Sequence, residues 1–306
     1  MRAITLHSYG GPGGFQFEEL DQPQPRAGEV LIRLCASTVD PGNVKRAMGQ
    51  MRAFTPELKF PWIAGASISG LVVEVGDGVR DFKSGDEVFG YRGLGGAYAE
   101  YVAVEVNAIG QKPANLTHAE AAAIAVSGQT AALAMDAAAI QAGQTILVLG
   151  AAGSVGSAAV QLAKARGANV IAVCRSRSVD RVRRLNADTV IDGDAVSFES
   201  VTQGVDAALD TLGGEFETRT MSTLKPNGTL VALVHPPSQE KALQRGVRAV
   251  LVRTESQTSS LIYLREMAES GKIKPYIGRA YTFSEAAQGW EDYVSRLTDG
   301  KIVIEF

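Results

Sequence analysis

The sequence predicts a mixed α/β protein in two parts. A β-rich, barrel-like N-terminal domain precedes a doubly wound domain with a six-stranded parallel sheet. Three observations carry this expectation. Short candidate strands alternate with Gly-rich turns over residues 1–117. After Pro113 the texture changes to continuous apolar strands that alternate with helices. Between one such strand and the next helix lies the glycine-rich turn Gly150-Ala151-Ala152-Gly153-Ser154-Val155-Gly156.

In the first part, 30–35, 68–75, 87–91 and 97–104 read as strands, the second closed by the turn Gly76-Asp77-Gly78. Tyr98 and Tyr101 fall at offset three on the last of these, which points them to opposite faces and gives both a structural role. Thr117 opens a helix, and Glu120 three residues later completes a capping box. This Ala-rich helix runs to Ala139 and is expected to break near Ser127-Gly128. Further strands are expected at 145–149, 169–174, 189–192, 205–210, 229–234 and 248–252, with helices at 155–166 and 258–271. On the helix 155–166, Val155, Ala159, Leu162 and Ala163 share one face. Six near-continuous apolar strands need helices on both faces, as in the doubly wound dinucleotide fold. The tail 272–306 reads as strand, helix, strand and is expected to return to the first domain. The expected domains are therefore 1–117 with 272–306, and 118–271.

Composition bounds the function. A chain of 306 residues can bury two cores. With 45% hydrophobic and 21% charged residues it has the balance of a soluble globular protein. A net charge of -3 gives no electrostatic footprint for nucleic acid or an anionic membrane. The first residues lack the apolar core of a signal peptide, and no segment reads as a membrane span, so a cytoplasmic protein is expected. Two cysteines, Cys35 and Cys174, can build neither a disulfide framework nor a four-Cys zinc site.

The glycine-rich turn carries the first chemistry. Ala151, Gly153 and Gly156 occupy the three positions of a G-x-G-x-x-G fingerprint, with Ala in the first. Gly153 lets the backbone approach a pyrophosphate, and Gly156 lets the helix pack close to the strand. The helix N-terminus offers unpaired N–H groups and a positive dipole to the phosphates. The alternative is a tight turn that binds no nucleotide. The strand 169–174 then ends in Arg175-Ser176-Arg177, with no Asp or Glu to accept from a ribose 2′-hydroxyl. Two guanidiniums and two hydroxyls, those of Ser176 and Ser178, suit a 2′-phosphate, so NADPH is favoured over NADH. A solvated basic loop is the competing reading.

The chain as a whole resembles the zinc-independent medium-chain dehydrogenase/reductases, in their quinone oxidoreductase branch. The residues that carry the resemblance begin with Gly65-Ala66-Ser67-Ile68-Ser69-Gly70 and Val73-Glu74-Val75-Gly76. They continue through Phe82-Lys83-Ser84-Gly85-Asp86-Glu87-Val88 and Gly95-Gly96-Ala97-Tyr98-Ala99-Glu100-Tyr101. Gly128-Gln129-Thr130-Ala131, Gln161-Leu162-Ala163-Lys164 and Gly300-Lys301-Ile302-Val303 complete them. The resemblance implies a GroES-like first domain and a Rossmann second domain, with the nicotinamide between them. Zinc alcohol dehydrogenases of the family carry a ligand His where this chain has Ala66-Ser67, and a ligand Cys ahead of Asp40 where it has Ser37-Thr38-Val39. Without a Lewis acid, alkoxide formation loses its driving force. Hydride donation to an electron-poor acceptor remains: a quinone or an α,β-unsaturated carbonyl.

The resemblance also implies the site. Thr130 stands beside the nicotinamide or caps a helix. Ala152, Gly153, Ser154, Val155 and Gly156 hold the pyrophosphate, and Arg175, Ser176 and Arg177 the 2′-phosphate. Thr211, Leu233, Val234, Leu251 and Val252 line the ribose and nicotinamide side, with His235 and Arg296 either beside the cofactor or simply exposed. Ser37 occupies a substrate-side position where relatives carry Asn, and Asp40 is read as organising its loop. No metal is expected. Met48, Met51, Phe54 and Trp62 are candidate pocket walls, with ordinary core or subunit contact as alternatives. Relatives carry a Tyr after the third strand of the second sheet, where this chain has Asp192-Gly193-Asp194. No side chain declares itself as a general acid, which leaves solvent or a 2′-hydroxyl relay. A homodimer through the strand 248–252 follows by analogy. The competing function is a non-catalytic NADPH-binding sensor or structural protein of the same fold.

Overall fold

A computed structural model describes residues 1–52, 57–93 and 95–306, which divide into two units. The first contains Met1–Val126, Glu255–Glu269 and Pro275–Phe306, and the second Ser127–Thr254 and Ser270–Lys274.

The first unit is organised by the long strand Glu29–Thr38, which pairs antiparallel with Ser67–Val75, Tyr101–Glu105 and Lys301–Glu305. The sheet continues through Glu87–Tyr91 to Ile109–Gln111 on one side and ends on Ile277–Thr282 on the other. A three-stranded sheet places Arg2–Leu6 between Gln16–Glu19 and Trp62–Ile63. Alternate residues of the long strand, Val30, Ile32 and Leu34, pack with Ile68, Val72, Val88 and Val102. A second cluster gathers Ile4, Leu6, Trp62, Tyr98, Phe283, Trp290 and Ile304.

The expected strand 97–104 is shorter in the structure, Tyr101–Glu105. Its first residues bond elsewhere: Tyr98 N–H donates to Ala64 O (2.9 Å), and Tyr98 O accepts from Ile4 N–H (2.8 Å). Gly95 and Gly96, at φ of +120° and +97°, make the bend that allows this. Tyr98 is thereby driven into the core, where its hydroxyl donates to Thr38 O (3.2 Å) and accepts from Trp290 Nε1 (2.8 Å).

The helix His118–Ala138 is capped as expected: Glu120 N–H donates to Thr117 Oγ1 and Thr117 N–H to Glu120 Oε2. It does not break at Ser127-Gly128. A helical glycine costs about 1 kcal/mol relative to Ala, too little to interrupt a helix held by tertiary packing. This helix is also long and apolar enough to cross a membrane, but 78% of its apolar window is buried inside the protein. The helix Thr258–Glu269 groups with the first unit, whereas the sequence placed it in the second domain. The reason is local: Asn115 Nδ2 donates to Ala268 O, and Leu261 lies against Gly110.

In the second unit the strands are β1 (Thr145–Leu149), β2 (Asn169–Cys174), β3 (Thr189–Asp192), β4 (Val205–Asp210), β5 (Leu224–Ala232) and β6 (Arg248–Leu251). All pair in parallel, in the order β3-β2-β1-β4-β5-β6. That is the dinucleotide-fold order, which reverses between β1 and β4 and leaves a crevice at the carboxyl ends there. β5 stops at Ala232 rather than Val234, and its ladder with β4 closes on the bond from Leu233 N–H to Asp210 O (3.2 Å).

Tyr98→Phe removes the partner of both Trp290 Nε1 and Thr38 O. It should lower stability by about 1–3 kcal/mol, because two buried polar groups lose their bonds. Thermal denaturation would read this, and an unchanged midpoint would contradict it.

Candidate dinucleotide site

β1 ends at Leu149, and the chain turns through Gly150 to Gly153 into α1 (Ser154–Ala165). Gly150 has φ +71°, and a Cβ there would lie 2.2 Å from Thr211 Oγ1. At Gly156 a Cβ would lie 2.2 Å from Gly150 O and 2.8 Å from Ala151 Cα, both backbone atoms that cannot swing away. The first turn of α1 therefore rests on the end of β1 only because residue 156 lacks a side chain. Gly153, the N-cap, is exposed and extended, and a Cβ there would meet only Gly150 O at 3.3 Å. The first-turn amides, Ser154 to Gly156, have no acceptor within their helix. This cradle fits a pyrophosphate. Arg181 also reaches it, donating from Nη2 to Ala152 O (2.8 Å). Sequence reading passed over Arg181. The available signal was a third arginine four residues beyond Arg177.

Arg175, Ser176 and Arg177 follow β2 and are exposed. Ser176 is tied to the end of β3: its hydroxyl donates to Asp192 Oδ1 (2.8 Å) and its N–H to Asp194 Oδ2 (2.9 Å). Asp194 N–H also donates to Asp192 Oδ1 (3.1 Å). The sequence had marked Asp192-Gly193-Asp194 only for its missing Tyr. The pairing of β2 with β3 brings its carboxylates beside the basic turn.

Thr211 donates from Oγ1 to Leu149 O (2.8 Å), locking the β4 loop to the end of β1. Asp210 Oδ1 accepts from the N–H groups of Leu212 and Gly213, while burial pushes its carboxyl upward in pKa. A Cβ on Gly213 would lie 2.9 Å from Val234 Cβ, so the loops after β4 and β5 touch. Leu233, Val234, Leu251 and Val252 are half-buried along this carboxyl edge, and His235 is exposed. Thr130 is buried, and its hydroxyl is hydrogen-bonded to that of Thr254.

Ser37, Asp40 and Arg296 belong to the first unit. Ser37 is fully buried and donates to Ser67 O (2.8 Å). Asp40 Oδ1 is paired with Lys301 Nζ, each side chain only 5% exposed. Asp40 Oδ2 accepts from Thr38 Oγ1 (3.1 Å), Ser67 Oγ (3.0 Å) and Ser67 N–H (3.2 Å). So many donors make Asp40 an anchor of its loop. Nearby, burial and the Asp40 charge push the Tyr91 phenol up to about 12. Arg296 is exposed after the helix Ala286–Val294, in left-handed conformation at φ +54°. Trp62 is a core residue, Met48 is exposed and Met51 half-buried. Phe54 lies outside the described residues. Among the described residues no group of three or more His, Cys, Asp or Glu is arranged to hold a metal ion.

Comparison with known proteins agrees with this architecture. Residues 26–114 match the alcohol dehydrogenase GroES-like domain family, and residues 185–304 the zinc-binding dehydrogenase family. Residues 146–212 match the NAD dependent epimerase/dehydratase family. A chloroplast envelope quinone oxidoreductase homolog of Arabidopsis thaliana is 31% identical, the match covering 100% of this chain and 98% of that protein. An NADPH-dependent alkenal/one oxidoreductase of the same plant is 32% identical, over 99% of this chain and 79% of that protein. The solved quinone oxidoreductase of Coxiella burnetii superposes with a TM-score of 0.92 at 28% identity, over 100% of this chain and 99% of that one. The chain belongs to the medium-chain dehydrogenase/reductase family, in its quinone oxidoreductase branch.

Two substitutions test the geometry. Gly156→Ala should cost about 1–3 kcal/mol by overpacking against backbone and abolish dinucleotide binding, read by unfolding and titration. Lys301→Met should cost about 3–5 kcal/mol by stranding the buried Asp40 charge. The double variant with Asp40→Asn should recover most of that loss, and equal losses in single and double variants would contradict the assignment.

Proposed function

We propose that this chain is an NADPH-dependent, metal-free reductase that delivers hydride to a quinone or an α,β-unsaturated carbonyl. The observation that carries the reading is the juxtaposition at the carboxyl edge of the second sheet. The open first turn of α1 lies beside a strand end that presents Arg175 and Arg177 and no carboxylate of its own. The relatives named as quinone and alkenal/one oxidoreductases support the substrate class, and one of them is named as NADPH-dependent.

In this reading the amides of Ser154, Val155 and Gly156 hold the pyrophosphate, with Ala152 and Gly153 shaping the approach. Arg181 holds the Ala152 carbonyl beside them. Arg175 and Arg177 neutralise the 2′-phosphate. Thr130, Thr211, Leu233, Val234, His235, Leu251 and Val252 flank the ribose and nicotinamide. When bound, the nicotinamide supplies the hydride, and the protein orients it and excludes water. Quinones and enones are already polarised, so the step needs no Lewis acid; Ala66 and Ser67 replace the zinc-ligand motif of the family's alcohol dehydrogenases. Ser37 and Asp40 shape the substrate side without transferring a proton, since their hydrogen bonds are already engaged. The proton that completes the reduction comes from solvent. A cytoplasmic homodimer joined through β6, an edge strand of the sheet, completes the reading.

NADPH consumption with a panel of quinones and enones tests the activity. Turnover with at least one acceptor class is expected, and none above background would leave a binding protein instead. Arg175→Ala/Arg177→Ala should weaken NADPH by about 10- to 100-fold and NADH by less than about twofold, because only the 2′-phosphate loses its charge-assisted bonds. Equal weakening of both coenzymes would refute the assignment.

A further inference from the structure

Ser176 stands between two arginines in the turn read above as the 2′-phosphate pocket, yet both of its donors face carboxylates. Its hydroxyl donates to Asp192 Oδ1 at 2.8 Å and its N–H to Asp194 Oδ2 at 2.9 Å. A hydroxyl has a single proton, so donation to Asp192 and to a phosphate oxygen are mutually exclusive. A dianion that displaced Asp192 would also approach two like charges, which disfavours it. The ribose of NADH behaves differently there: its 2′-hydroxyl is a donor, and a carboxylate is the acceptor that suits it.

We infer that Asp192 and Asp194 are specificity-determining residues: they compete with the 2′-phosphate for the two donors of Ser176 and keep the site open to NADH as well as NADPH. The basic turn attracts the phosphate, and the carboxylates at the end of β3 moderate that attraction. The balance lies in a side-chain pair on the neighbouring strand rather than in the residue that ends β2. This rests on the NADPH reading of the site and adds to it the residues that set the ratio.

The test is isothermal titration of NADPH and NADH into the wild-type chain, Asp192→Asn, Asp194→Asn and the double variant, with folding checked by thermal denaturation. Asn keeps an acceptor oxygen for Ser176 and removes only the charge. Asp192→Asn should tighten NADPH relative to NADH by about five- to tenfold, the double variant more, with the gain shrinking at high salt as exposed charges are screened. Ser176→Ala removes the contested donor and should reduce the effect of Asp192→Asn. A folded Asp192→Asn, or Asp194→Asn should the first not fold, with an unchanged ratio overturns the inference while leaving the pocket intact. If wild-type chain fails to bind NADPH, or if Arg175→Ala/Arg177→Ala weakens both coenzymes alike, the pocket reading fails and this inference falls with it.

Discussion

The structure of the second unit depends on one close approach. α1 begins so near the end of β1 that a single methyl group on Gly156 would overlap the Gly150 carbonyl. This contact aims the unpaired amides of α1 along the carboxyl edge of the sheet, where the strand order reverses between β1 and β4. The neighbouring loops are registered to the same point. Thr211 bonds back to Leu149, Asp210 ties down Leu212 and Gly213, and Arg181 holds the Ala152 carbonyl. The edge is therefore braced by hydrogen bonds between successive loops, and hydride chemistry needs that preorganisation more than it needs reactive side chains.

The first unit solves a different problem. Its chain must bring the tail strand Lys301–Glu305 back against Glu29–Thr38, and the Asp40–Lys301 pair closes that return inside the core. An ion pair at such depth is tolerable only with every lone pair satisfied, which Thr38 and Ser67 accomplish. The same bonds hold Asp40 in its loop, and Ser37, near the end of the strand Glu29–Thr38, is engaged by Ser67 O.

Sequence periodicity located the parallel strands well because a strand buried on both faces is apolar throughout. β1 to β4 fall at the expected residues. It did worse wherever tertiary contacts overrule local preference. Ser127-Gly128 stays helical, and residues 97–100 bond to separate strands instead of extending a ladder. The strand Trp62–Ile63 carries too few residues to show a period, and Arg2–Leu6 is buried at every position after Arg2 instead of alternating. At the site, the glycines and arginines were legible because their roles follow from local spacing. Arg181, Lys301 and the carboxylates of Asp192 and Asp194 were not, since each acts across a separation that only the folded chain closes.

The proposed reading puts a dinucleotide on the α1 cradle with its 2′-phosphate at Arg175 and Arg177. A crystal structure of the chain with NADPH measures this most directly. The pyrophosphate is expected on the amides of Ser154, Val155 and Gly156, with the 2′-phosphate between the two guanidiniums. A pyrophosphate bound elsewhere, or a 2′-phosphate turned away from both arginines, would contradict it.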